Sequence, residues 1–278
     1  DEGLIGGRVM KMKIGLGQMN SRANKEENLD AAERLVSELA DNGAELVMLP
    51  EHFNFLGPDQ LKRENAETVE NSPSLQRMRA LAEKLGIYVH IGSFFELDRD
   101  SLFNTGIVLD PSGEMIAKYR KIHLFDVEIP GGKRYLESEM ISAGREVVTF
   151  TIGKFVFGMS TCYDLRFPEL FRLLVKKGAH VLLVPAAFTM ETGRDHWQLL
   201  LRARAVENQC WVAAAGQWGK FMEGRESYGR SLVVDPWGVV VSQAGDGVRS
   251  IVAELDLGAV NNVRMLFPCL AHVRSDIY

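Results

Sequence analysis

Two periods run through the apolar positions of this chain and alternate along its length. Lys13–Met19 alternates residue by residue and predicts a first strand. Asn24–Ala40 instead carries Leu29, Ala32, Leu35, Val36 and Leu39, spaced to line one face of a helix. Asn24 suits its cap, with Glu27 three residues on as capping-box partner, and Asp41-Asn42-Gly43 suits its stop. Leu46–Leu49 is a continuous apolar run, the pattern of a strand buried on both faces, and it ends at Pro50-Glu51. Ser74–Leu85 predicts a second amphipathic helix. Ile87–Ile91 and Phe103–Leu109 predict strands, the latter closing on the turn residues Asp110-Pro111-Ser112-Gly113. Tyr119–Ala143 has no sustained period and predicts a long charged, glycine-containing loop, a type usually kept for function.

The second half restarts the pattern. Val147–Ile152 and Lys154–Ser160 read as strands joined at Gly153. Pro168–Lys177 reads as a helix, Val181–Val184 as a buried strand and Arg194–Asn208 as another helix. Trp211–Ala215, Ser231–Val234, Val239–Val241 and Ile251–Leu255 complete the strands, with Asp235-Pro236-Trp237-Gly238 as a hairpin turn. Strands and helices are interspersed without a linker or low-complexity tract, so one α/β domain is expected. The similar order in the two halves hints at an internal pseudo-repeat.

Composition narrows the function classes. The 278 residues are 46% apolar, enough for a full core. A formal charge of −5 with no basic block gives no electrostatic ground for nucleic acid or an anionic membrane as partner. No apolar run approaches the roughly 18–20 residues of a membrane span. Asp1–Arg8 lacks a basic segment followed by an apolar core, so residues 1–11 read as an extension before a domain spanning 12–278. The three cysteines, Cys162, Cys210 and Cys269, are odd in number and far apart. That suggests neither a disulfide framework nor a metal site, and points to reduced thiols in a cytoplasmic protein.

Three reactive side chains follow predicted strands: Glu51 after Leu46–Leu49, Lys121 after Ile116–Lys118, and Cys162 after Phe155–Ser160. Ligands of open α/β sheets bind beyond the carboxyl ends of strands, so the three could share a pocket. A carboxylate can take a thiol proton, and an ammonium can hold the oxyanion that forms when sulfur attacks a carbonyl. Cys162-Tyr163-Asp164-Leu165-Arg166-Phe167-Pro168 suits a sharp strand-to-helix turn, with Pro168 in the first helical turn and the Tyr163 N–H as a second oxyanion donor. Taken singly, each has an ordinary alternative: a buried inert thiol, a solvated loop carboxylate, a basic surface. No G-x-S-x-G elbow occurs, which leaves a serine α/β-hydrolase without support.

In context, Leu49-Pro50-Glu51, Lys118-Tyr119-Arg120-Lys121-Ile122-His123-Leu124-Phe125-Asp126 and Ser160-Thr161-Cys162-Tyr163-Asp164-Leu165-Arg166-Phe167-Pro168-Glu169 resemble the base, lysine and nucleophile segments of the nitrilase superfamily, the carbon–nitrogen hydrolases. The resemblance runs from Ile14 to Arg274-Ser275-Asp276. It implies a four-layer α-β-β-α sandwich, with Glu51 as base, Lys121 as oxyanion donor, Cys162 as nucleophile and no cofactor or metal. It also implies an assisting second glutamate, Glu137, whose alternative is an exposed loop carboxylate beside Glu139. Within the superfamily, Lys121–Pro130 resembles the small-amidase branch, and Leu201–Cys210, Ala213–Gln217 and Ser227–Gly238 resemble its deaminated-glutathione amidases more than its omega-amidases, although Arg230 stands where the family usually has His. A nitrilase or carbamoylase on the same scaffold would use the same trio.

Substrates of that branch carry carboxylates, which Arg166 and Arg194 could clamp. Arg166 could equally pair with Asp164 or Glu169. Phe188 and Thr192 are candidate pocket walls, with core packing as the alternative for Phe188. His52, His123 and His196 read as structural. The resemblance further implies a homodimer or higher homo-oligomer, with Gly258–Tyr278 (Val260, Val263, Leu266, Phe267) either at the interface or packed on its own domain.

Overall fold

A computed structural model of the chain describes residues 10–129 and 133–277. Residues 1–9 of the expected extension, residues 130–132 of the expected loop and Tyr278 of the expected interface segment lie outside them. β1 (Lys11–Gln18) leads into α1 (Lys25–Asp41), which starts where its capping chemistry sets it. Asn24 accepts the Glu27 N–H at 3.3 Å and donates to the Glu27 carboxylate at 2.8 Å. All five apolar residues of the predicted face are buried. β2 (Leu46–Met48), α2 (Pro73–Leu85) and β3 (Tyr88–His90) repeat the unit, and α2 stops at Gly86 in the left-handed conformation. β4 (Phe94–Asp98), β5 (Ser101–Leu109) and β6 (Met115–Arg120) follow as a meander.

The predicted long loop holds more order than its pattern suggested. β6 carries on to Arg120, and β7 (Asp126–Ile129) pairs with β8 (Lys133–Leu136) as a small hairpin before a 3-10 turn, Glu137–Glu139. A two-stranded ribbon among charged residues buries no continuous face, so it leaves little periodic trace. β9 (Thr149–Ile152), β10 (Phe155–Met159), α3 (Pro168–Lys176) and β11 (Val181–Leu183) come next. The helix predicted from Arg194 is interrupted: a single turn α4 (Met190–Thr192) passes through a π turn, Gly193–Trp197, into α5 (Gln198–Asn208). β12 (Trp211–Ala214) precedes a hairpin absent from the sequence reading, β13 (Trp218–Met222) with β14 (Arg225–Tyr228). β15 (Leu232–Val234), β16 (Val240–Gln243), β17 (Arg249–Asp256) and α6 (Leu257–Leu266) end the chain.

The strands form two main sheets. One has the order β17-β1-β2-β3-β5-β4, with β6 also paired to β5; the other runs β16-β15-β12-β11-β10-β9. β1, β2 and β3 are parallel, as are β10, β11 and β12. Alternation along the short central strands builds the layers. Leu46 and Met48 face Val181, Leu183, Phe157 and Met159 in a core between the sheets. Val47 and Leu49 face α1 and α2 through Leu35, Val36, Leu39 and Met78. Leu182 and Val184 face α3 and α5 through Leu170, Phe171, Leu174 and Leu201. Helices, sheet, sheet and helices therefore stack as the expected four-layer α-β-β-α sandwich, and the carboxyl ends of β2 and β10 open toward one another.

Candidate active site

Glu51 sits on the turn that ends β2 and is 2% exposed. The end of β3 passes close beneath this turn. A Cβ on Gly92, at φ +72°, would lie 1.9 Å from the Pro50 carbonyl oxygen, so only glycine fits. From the other sheet, the Gln217 amide donates to the Glu51 carbonyl at 2.9 Å, and the Ala187 N–H donates to Glu51 Oε2 at 2.8 Å. The base position is thus fixed by both halves of the fold.

Cys162 opens a 3-10 turn, Cys162–Arg166, between β10 and α3, and Pro168 occupies the first turn of α3 as expected. Its φ is +49°, a left-handed value that a side chain rarely adopts. Such strain persists only where the surroundings hold it, and here they do. The Cys162 N–H donates to the Pro185 carbonyl at 2.9 Å. The fully buried Asp164 carboxylate accepts from Thr161 N–H at 2.8 Å, Tyr119 OH at 2.6 Å and His123 N–H at 3.0 Å, and meets His123 Nδ1 at 2.7 Å. One carboxylate therefore clamps the cysteine turn to the lysine segment.

Lys121 leaves β6 with its N–H on the Asn104 carbonyl at 2.9 Å, while its own carbonyl accepts from Gly144 N–H at 2.8 Å. Its ammonium lies 3.3 Å from Glu51 Oε1 and 2.7 Å from Glu137 Oε2. Glu137 also accepts the Phe125 N–H at 2.7 Å. Glu137 faces the cavity and is not the exposed loop carboxylate of the alternative reading, whereas its neighbour Glu139 is exposed. The Cys162 thiol shares the cavity with Glu51 and Lys121, and the charges of both act on it.

The charges follow from these contacts. Burial pushes the Glu51 carboxyl up, but the Lys121 ammonium and the donors Cys162 and Asn104 outweigh it and hold it at about 2. Burial alone would pull Lys121 down; Glu137 and Glu51 together carry it well above the ordinary lysine value. Burial and the Glu51 charge push the Cys162 thiol well up. The resting site is therefore a neutral thiol beside an ionised carboxylate, with the ammonium bridging two carboxylates. Such a set can pass the thiol proton to Glu51 while sulfur attacks, and can present N–H donors to a developing oxyanion. Among the described residues there is no group of three His, Cys, Asp or Glu able to hold a metal ion.

Glu51, Lys121, Glu137, Cys162, Tyr163, Arg166, Phe188 and Thr192 all line one cavity of about 1020 Å³ counted to its open mouth. Arg194 does not: it is exposed, faces Asp195 at 3.4 Å and lies away from the lining, so its expected substrate contact is corrected. The π turn offsets the helical register there and sends the side chain outward. Arg166 pairs with neither Asp164 nor Glu169; it reaches His196 and lies over the Phe188 ring at 5.4 Å. His123 is structural, stacked on Phe167 at 3.7 Å between ring centroids. His52, read as structural, lines the cavity 3.7 Å from Glu51 and stacks on Phe95, and burial keeps it neutral, with its pKa lowered to about 4. Three contributors went unnoticed in the sequence, Asn104, Gln217 and Arg225, and Asp164 was named only as a partner for Arg166. The first three are polar residues in or beside strands and Asp164 lies in the cysteine turn; only three-dimensional pairing gives each its meaning.

A thiol, an ammonium and two carboxylates gathered at the strand ends of a two-sheet sandwich are the furniture of a carbon–nitrogen hydrolase, and the chain belongs to that family, which it matches over residues 13–265. Its members hydrolyse carbon–nitrogen bonds other than peptide bonds. More particularly, the chain is 41% identical over 260 residues to the deaminated glutathione amidase of Synechocystis, covering 92% of this chain and 95% of that one. It is 39% identical to omega-amidase NIT2 of Danio rerio, covering 97% of each. The NitFhit structure of C. elegans superposes with a TM-score of 0.88 at 40% identity, covering 97% of this chain; the chain spans 66% of that one. An amidase of Nesterenkonia with the acetamide moiety of fluoroacetamide on its active-site cysteine superposes at 0.82 with 27% identity, covering 98% and 97% of the two chains.

Proposed function

We propose that this chain is a cysteine-dependent amidase that hydrolyses a small linear amide to acid and ammonia through a thioester. Cys162 serves as nucleophile, Glu51 as general base, Lys121 as oxyanion donor and Glu137 as the carboxylate that keeps Lys121 charged and in place. The observation that carries this reading is the bridging ammonium, within 3.3 Å of Glu51 and 2.7 Å of Glu137, in the cavity that also holds the Cys162 thiol. Sulfur bonds to the amide carbon as its proton passes to Glu51, and the carbonyl electron pair moves to oxygen, held by Lys121 and the Tyr163 N–H. The carbon–nitrogen bond breaks, and ammonia leaves with the Glu51 proton. Water then gives a proton to Glu51 and its oxygen to the acyl carbon, and the sulfur departs and is reprotonated. Burial and the Glu51 charge hold the thiol proton on Cys162 at rest, which supports a proton that moves during attack rather than before it.

The substrate reading is an amide bearing carboxylates, such as deaminated glutathione. Arg166 and Arg225 support it. Both arginines line the cavity, neither makes a salt bridge to a carboxylate among the described residues, although Arg225 acts at longer range on Asp59, and each lies over an aromatic ring; Arg225 stacks on Tyr135 at 4.3 Å. A shorter omega-amide, 2-oxoglutaramate, is the alternative, favoured by the likeness to the zebrafish omega-amidase. A panel of amides, nitriles and N-carbamoyl compounds assayed for ammonia tests the reading. Deaminated glutathione is expected to turn over fastest, and Arg225→Ala to raise its KM by roughly tenfold, the scale of one lost charge-assisted contact. Turnover of nitriles with none of amides would sink it. The reading includes cytosolic residence, in keeping with three free cysteines. It also includes a homodimer closed over the exposed apolar side chains Val206, Trp237, Leu266 and Phe267, to be checked by sedimentation.

A further inference from the structure

We propose that Asn104 is a positioning residue of this site: its amide holds the Glu51 and Glu137 carboxylates in place around one lysine ammonium, so that Glu51 stays aimed at the Cys162 thiol. The inference rests on Glu51 acting as the base.

Asn104 lies within β5, paired with Phe95 of β4, and is wholly buried. Its Nδ2 donates to Glu51 Oε1 at 2.8 Å and to Glu137 Oε1 at 3.4 Å. Both neighbours are ionised acceptors, so the NH₂ group, not the oxygen, must face them. The oxygen accordingly finds no hydrogen-bond partner among the described residues. A buried orphan acceptor is unfavourable, and its persistence indicates that the other end of the side chain is needed where it is. The same residue's carbonyl receives the Lys121 N–H, so one strand position fixes the ammonium through the backbone and both carboxylates through the side chain.

The charge balance explains the residue type. Glu51 and Glu137 bring two negative charges and Lys121 brings one positive. The groups facing Glu51 are Lys121 from the end of β6, Glu137 from the 3-10 turn, the neutral His52 beside it, the Cys162 thiol and the Ala187 N–H. Lys121 alone cannot satisfy both carboxylates. An amide supplies two further N–H donors without adding a charge. Leucine has nearly the same shape and no donor; aspartate has the same shape and would add a third negative charge.

The test measures the alkylation rate of Cys162 by iodoacetamide, read by mass spectrometry of its peptide between about pH 5.5 and 8, a probe independent of the physiological amide. In this step sulfur displaces iodide and the thiol proton goes to Glu51. Asn104→Leu is expected to slow alkylation roughly 10- to 100-fold at every pH, within the range of a general base put out of line. Asn104→Asp is expected to be slower still at pH 8 and to recover toward pH 5.5. There a proton shared among the three carboxylates restores both a donor and the wild-type net charge. A residue serving only as packing would not give two isosteric variants different pH behaviour, one slowed at every pH and one recovering in acid. Wild-type rates in both variants, or equal losses in both that track their thermal midpoints, would overturn the proposal. Glu51→Gln run alongside separates the two readings. Wild-type alkylation in Glu51→Gln removes the base role and this inference with it. A dead Glu51→Gln beside fully reactive Asn104 variants removes this inference alone.

Discussion

The two sheets run through the same β-α-β-α-β order, β1-α1-β2-α2-β3 in one and β10-α3-β11-α5-β12 in the other, yet they furnish the cavity with different chemistry. The first sheet and the hairpin after it supply charge: Glu51, Lys121 and Glu137, each buried or nearly so and each hydrogen-bonded to the others or to Asn104. The second supplies a strained thiol turn and backbone donors, among them the Ala187 N–H on Glu51. The difference follows from what each group requires. A buried charge is tolerated only when fully paired, and the charged set is paired across segments: Glu51 after β2, Lys121 after β6 and Glu137 after β8 meet one another and Asn104 of β5. A thiol is nearly apolar and needs only a sharp turn at the edge of a helix.

This division predicts unequal damage. On the proposed mechanism, Cys162→Ala leaves the charged set intact and folded but removes the bond-forming atom. Ammonia release is expected to fall by on the order of 10⁵- to 10⁶-fold, the scale for losing the nucleophile of a triad that acts as a unit, with an unchanged thermal midpoint. Turnover surviving in this variant would take Cys162 out of the reaction.

Lys121→Met breaks the other half. Two carboxylates are left facing one another, so the rate should drop roughly 10²- to 10³-fold by the oxyanion-donor scale. Stability should also fall, by about 3–5 kcal/mol, as for a buried ion pair that loses one partner. The contrast is the point: the thiol variant loses rate alone, and the lysine variant loses rate and stability together. A lysine variant of wild-type stability would show that the carboxylates do not depend on it.

The asymmetry also explains what could be seen in the sequence. Strands such as Leu46–Met48 and Val181–Leu183 are apolar on every residue because both faces are covered, and the helices between them carry a clear apolar face; these elements were legible within a residue or two. Glu51, Lys121 and Cys162 were legible through the three segments that carry them rather than through periodicity: Glu51 and Cys162 follow apolar strands, whereas Lys121 follows the half-exposed β6. The hairpins β7–β8 and β13–β14 were not, since ribbons mixing charged and apolar residues lack a one-sided apolar pattern, although both border the cavity. Arg194 was misplaced because a π turn cannot be read from periodicity, and Arg225 was missed because its hairpin was.

A smaller effect is expected where the halves are joined. Tyr119→Phe removes one donor from Asp164 and leaves the His123 and Thr161 contacts. Stability is expected to fall by about 1–3 kcal/mol, the range for a buried acceptor that loses a partner, while the rate falls only a few-fold. A loss of rate as large as that of Lys121→Met would mean that the clamp takes part in the chemistry rather than in holding the two segments together.

The last expected difference leaves the neutral-pH rate untouched and concerns acid. The first sheet buries two histidines: burial holds His52 at about 4 and His90 at about 3. In the unfolded chain both would titrate near their ordinary value of about 6.5. Between roughly pH 4 and 6.5 the unfolded state therefore binds more protons than the folded one, so stability rises with pH through that window and is lost as pH falls. Each histidine contributes a slope of about 1.4 kcal/mol per pH unit where the difference is complete. In the second sheet, His180 is only half buried and lowered less. Urea unfolding followed across this range should show His90→Leu losing about one proton of uptake and His180→Leu losing less. Equal slopes in the two variants would remove the asymmetry between the sheets as far as protons are concerned, and would leave it resting on the charged cluster alone.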